Sequence, residues 1–80
     1  AYWNNIYPNP TNGGVTITFA NTQEAIRIEV MNVAGQIVSS ERFTDTNKIK
    51  MNISGAHGVY FIHLVPEGSH RNVIKVIKGN

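Results

Sequence analysis

Apolar residues recur at every second position along most of this chain. Val15, Ile17 and Phe19 alternate with Thr16 and Thr18; Ile26, Ile28 and Val30 alternate with Arg27 and Glu29; Ile49, Met51 and Ile53 alternate with Lys50 and Asn52. A period of two places one face of a strand in a core and the other in water. No stretch of ten residues carries a helical stripe. The pattern predicts about seven strands: 6–7, 15–20, 25–33, 36–43, 48–53, 58–65 and 72–78. Turn signals separate them. Residues 8–14, Pro-Asn-Pro-Thr-Asn-Gly-Gly, combine fixed φ with glycine freedom. Ala34-Gly35 reads as a tight hairpin with Gly35 left-handed. Polar loops are expected at 44–47, 54–58 and 66–70. Short strands at this spacing predict an all-β fold, a small Ig-like β-sandwich of mostly antiparallel strands.

Two segments break the alternation. Val59-Tyr60-Phe61-Ile62-His63-Leu64-Val65 and Val73-Ile74-Lys75-Val76-Ile77-Lys78 are apolar at both parities. Such a strand is either covered on both faces or shows one apolar face to a partner.

Composition narrows the options. Eighty residues make one domain with a thin stability margin. Apolar residues are 41% and charged residues 15%, which suits a folded domain rather than a disordered tail. The absence of cysteine excludes disulfides and thiolate chemistry. The net charge of +2 is spread without a basic run, so nucleic acid is not an expected partner. No apolar segment approaches the roughly 20 residues of a membrane-crossing helix. Residues 1–5 do not read as a signal peptide. The expectation is a cytoplasmic chain or a piece of a larger protein.

Catalytic and metal chemistry find little support. Ser39, Ser40, Ser54 and Ser69, with His57, His63, His70 and the single Asp45, form no nucleophile-base-acid spacing. Glu24, Glu29, Glu41 and Glu67 read as solvated charges. The three histidines lack metal-ligand spacing. Asn12-Gly13-Gly14 precedes a strand, so it lacks the helix N-terminus that cradles phosphate. No enzyme activity and no cofactor are expected. Tyr2, Trp3 and Tyr7 cluster near the start and could form a sugar-binding platform, a core plug or a tie to a preceding domain.

The ordered segments Tyr7-Pro8-Asn9-Pro10-Thr11-Asn12-Gly13, Val30 to Val38, Met51-Asn52-Ile53-Ser54, Gly58 to Leu64 and Lys75-Val76-Ile77-Lys78 resemble the type A C-terminal sorting domain of the type IX secretion system of Bacteroidetes bacteria. The resemblance runs from about Tyr7 to Lys78. It implies a sorting domain at residues 6–80, with residues 1–5 a linker remnant from an upstream passenger. The passenger would cross the periplasm and reach the outer membrane, cell surface or medium. Partners implied are outer-membrane translocon and shuttle components and a sortase-like cysteine protease that removes the domain. Pro8, Asn9, Pro10 and Gly13 would form the opening turn, Asn32 and Gly35 the middle hairpin, and Gly58 the start of the penultimate strand. Ala34 stands where the family commonly has Asn.

A sorting label must be read on unrelated passengers, so its information lies within itself. A sheet edge or an apolar strand face can carry it. The two-faced strands supply the candidates for translocon recognition: Val59, Tyr60, Phe61, Val73, Lys75, Ile77 and Lys78. Exposed edge strands also allow weak self-association. The rival expectation is an Ig-like spacer or a carbohydrate-binding adhesion domain using Tyr2 and Trp3.

Overall fold

The computed structural model describes residues 2–79. Ala1, in the expected linker, and Asn80, the last residue of the expected sorting domain, lie outside the described residues. Five strands follow in order: β1 (Trp3–Tyr7), β2 (Gly14–Asn32), β3 (Ile37–Asn52), β4 (Gly58–Pro66) and β5 (Asn72–Lys78). All ladders between them are antiparallel, and the sheet runs β1-β2-β4-β5 with β3 on the other side of β2.

The fold is all-β, but the seven-strand Ig-like sandwich is replaced by one curled sheet. The expected strands 15–20 and 25–33 are two halves of β2, and 36–43 and 48–53 are two halves of β3. The polar segments between them contain no Gly or Pro. Asn21, Asp45 and Asn47 could serve a turn, but the backbone stays extended through both segments and bends instead. The bend is a bulge: Phe19–Thr22 of β2 run opposite Asn47 alone, between the pairs Thr18↔Lys48 and Gln23↔Thr46. An inserted residue strengthens local twist and turns a strand. Asp45, with φ of 49°, sits at the same corner on β3.

The corner also explains the apolar parity. Before it the odd residues Val15, Ile17 and Phe19 are buried; after it the even residues Ile26, Ile28 and Val30 are buried. Both halves therefore face one core, which Ile6, Ile49, Ile53, Tyr60, Ile62, Leu64 and Val76 complete. Trp3, Asn4 and Asn5, which fall in the expected linker, belong to β1, and Trp3 packs against this core. The Tyr2 hydroxyl lies 3.1 Å from the Leu64 carbonyl and 3.0 Å from the His70 carbonyl, sharing its one proton between them and tying the start of the chain to β4 and the β4–β5 turn.

Candidate functional site

Strand parity sorts the two-faced strands. In β4, Tyr60, Ile62 and Leu64 turn inward, so Val59, Phe61, His63 and Val65 turn outward. In β5, Val76 is buried and Ile74 packs on the core, while Val73, Lys75 and Ile77 face solvent. The registers align these outward residues into rows across the sheet. Ile37 lies opposite Met31, Met31 opposite Phe61, and Phe61 opposite Lys75. Val59 lies opposite Ile77, and His63 lies between Glu29 and Val73. Ile37 is 54% exposed, Val73 50% and Ile77 42%. Ile37, Met31, Val59, Phe61, Val73 and Ile77 thus put apolar side chains on the outer face, with Glu29, His63 and Lys75 among them.

Charged groups border it. Arg27 donates to the Ser40 hydroxyl at 3.3 Å, and Arg71 lies 3.9 Å from Glu29 and 3.3 Å from His63 Nδ1. Arg42 pairs with Glu67 at 3.4 Å. These exposed pairs are worth little in stability. They leave the rim mixed in sign, with Lys75 adding a positive charge beside Phe61.

Two of the expected recognition residues sit elsewhere. Tyr60 is only 6% exposed, and its hydroxyl donates to the Ala56 carbonyl at 2.7 Å. Lys78 reaches back, its Nζ donating to the Gly55 carbonyl at 2.6 Å. Val59, Phe61, Val73, Lys75 and Ile77 share the outer face.

The motif residues mark turns. Asn32 Oδ1 accepts from the backbone N–H of Ala34 and of Gln36, both at 3.0 Å, and Gly35 has φ of 84°. The hairpin between β2 and β3 is thus held by one side chain and one left-handed glycine. Pro8, Asn9 and Pro10 lead from β1 to Thr11, which is buried; its hydroxyl donates to the Gly14 carbonyl at 2.5 Å and accepts from the Gly13 N–H at 3.0 Å. Gly58 opens β4.

Two residues that build this end of the molecule, Thr11 and Gly55, are not singled out by sequence reasoning, and at the other end Tyr2, named as a candidate core plug, has partners that the sequence does not indicate. Thr11 stood within the Pro-Asn-Pro-Thr-Asn-Gly run and was passed over for its neighbours. Gly55, with φ of 114°, lies in an expected loop. The Tyr2 contact spans 62 residues, and no local pattern announces it. Tyr2 and Trp3, the sugar platform of the rival reading, pack instead against the core. Burial raises the Tyr2 phenol above its ordinary 10.0, partly offset by a backbone hydrogen bond from Asn72.

A groove with apolar walls lies between the β2–β3 turn and the loop before β4. Val33, Ala34, Val38, Ala56, His57 and Val59 contribute to it, and no carboxylate lines it. Among the described residues, no three of His, Cys, Asp and Glu come together as a metal site would require.

A family model described as a secretion system C-terminal sorting domain matches residues 5–79. A search of the curated proteins finds no match.

Proposed function

The chain belongs to the family of secretion system C-terminal sorting domains, and on that premise we propose that the outer face of β4 and β5 is the part the export machinery reads. As a sorting signal of type IX secretion, it marks a passenger for export to the cell surface or medium. The observation that carries the proposal is the register. It gathers Val59, Phe61, Val73 and Ile77 on one face that the core does not use. An apolar patch of this kind marks a contact surface. The reader is a component of the outer-membrane translocon or its shuttle, and a sortase-like cysteine protease then removes the domain upstream of its fold. The domain itself contributes no catalytic group.

The test is a fusion of residues 1–80 behind a periplasmic reporter in a host with this secretion system. Deleting β5 would be uninformative, because it strips Val76 from the core. Val59→Ser with Ile77→Ser alters the outer face alone. Export by the wild-type fusion and its loss in the folded double variant are expected. Undiminished export by that variant would remove the outer face from the mechanism.

A further inference from the structure

β5 is an edge strand. β4 pairs with one side of it, and the other side would ordinarily present a row of free N–H and C=O groups. The segment between β1 and β2 lies along that side instead. The Asn9 amide acts as a substitute peptide group, with one donor and one acceptor. Its Oδ1 accepts from the Ile77 N–H at 3.0 Å, and its Nδ2 donates to the Lys75 carbonyl at 3.0 Å. Thr11 continues the pattern: its N–H donates to the Ile77 carbonyl at 2.9 Å, and its carbonyl accepts from the Gly79 N–H at 2.7 Å. The Thr11–Lys78 bridge is parallel, so the segment runs alongside the strand. Flanking prolines fix φ on both sides of Asn9, and the buried Thr11 hydroxyl anchors the end.

We infer that Asn9–Thr11 is a strap that closes the outward edge of the terminal strand, so that a partner meets β5 through its outer side chains and not by adding a strand. An incoming strand must approach to about 4.8 Å to pair, and the strap occupies that space from Lys75 to Gly79. The alternation of the ladder turns the Val73 N–H and C=O and the Lys75 N–H to the same edge. No hydrogen bond to them is formed among the described residues. That remnant is shorter than the 5–6 residues of an average strand. The reader of this strand therefore presents an apolar surface to Val73, Ile77 and Val59. The statement about the partner rests on the sorting function proposed above; the strap stands on the hydrogen bonds alone.

Amide hydrogen exchange on the purified wild-type domain tests the strap without any substitution. Ile77 and Gly79 amides are expected to exchange slowly, while those of Val73 and Lys75, on the same edge, exchange at least about tenfold faster, the factor that one net hydrogen bond provides. Equal rates at Ile77 and Val73 would overturn the strap. Asn9→Ala should release Ile77 by a similar factor while Val76, which points to β4, stays protected. Asn9→Asp keeps the acceptor and should restore Ile77. Reporter export tests the partner: Ile77→Ser should lower it severalfold, and Asn9→Ala should not raise it. A gain of export on opening the edge, with Ile77→Ser unaffected, would show that the machinery adds a strand. A wild-type fusion that is not exported would refute the sorting function and leave the exchange pattern to decide the strap.

Discussion

Gly55 is the glycine whose replacement should cost most, and the reason is its neighbour rather than its backbone alone. Its φ of 114° lies where L residues are strained, and an added Cβ would sit 2.8 Å from the Tyr60 hydroxyl oxygen. That hydroxyl is held by its 2.7 Å bond to the Ala56 carbonyl, on a ring buried in the core. Gly68, with φ of 75°, has nothing within 4 Å of its added Cβ. Gly68→Ala therefore carries only backbone strain, about 1–2 kcal/mol. Gly55→Ala carries at least that strain, since its φ lies further from the left-handed well, plus a displaced part-buried hydroxyl, a further 1–3 kcal/mol or so. For a domain of this size each kcal/mol shifts Tm by about 4–8 °C, so Gly55→Ala should melt roughly 5–20 °C below Gly68→Ala. Thermal and urea unfolding of both variants provide the numbers. A double-mutant cycle with Tyr60→Phe isolates the contact: once the hydroxyl is gone, Gly55→Ala should recover at least about 1 kcal/mol. Equal melting of the two alanine variants, or zero coupling in the cycle, would refute the reasoning.

The same packing and hydrogen bonds set the outcome of other substitutions. Val76→Ala, at a fully buried position, should cost about 2–3 kcal/mol by urea unfolding, and Val73→Ala, half exposed on the same strand, about 0.5 kcal/mol or less. Asn32→Ala should cost about 1 kcal/mol and loosen the β2–β3 turn, visible as faster exchange of the Gln36 amide; Asn32→Asp, which keeps the acceptor, should cost less. The raised Tyr2 pKa means that the folded state holds the phenol proton more tightly than the unfolded chain does. Its contribution is complete below pH 10 and is lost as pH climbs through the higher folded value. Unfolding midpoints measured from pH 8 to 11.5 should fall at the alkaline end, and Tyr2→Phe should flatten that fall.

Much of the fold was legible in the alternation, and the part that was not has a physical cause. Every buried residue of β2 was identified by its period of two. The switch from odd to even parity between Phe19 and Ile26 was also visible, and it could be made by either a turn or a bulge. Polar composition with Asp45 and Asn47 favours a turn at 44–47, while the lack of Gly and Pro at 21–24 and 44–47 favours a continuous strand. The second signal was the decisive one, because a polar side chain can face water from a bent strand, whereas chain reversal needs special backbone angles. The outer face was only half legible. Two-faced apolarity singled out β4 and β5, yet the sequence could not say that Tyr60 belongs to the core and Ile37 and Met31 to the outer face. Those assignments depend on cross-strand register, and so did the partner of Asn9, 66 residues away at Lys75.

The outer face and the guarded edge support one functional logic. Strand propensity does not demand Ile or Val at 37, 59, 73 and 77, since Thr or Tyr would suit exposed positions of a sheet equally well. The core does not demand them either, because Ile74 and Val76 already supply the inner side of β5. An exposed apolar face lowers solubility, and the contact with the export machinery proposed above would give it a use. The edges carry the opposite design. The strap covers β5, and β3 bears Glu41, Arg42, Asp45, Lys48 and Lys50 along its length, charges that discourage a further strand. A domain that displays side chains and withholds backbone can be recognised through those side chains while resisting the indiscriminate pairing that open strands invite. That is what an export label joined to unrelated passengers requires.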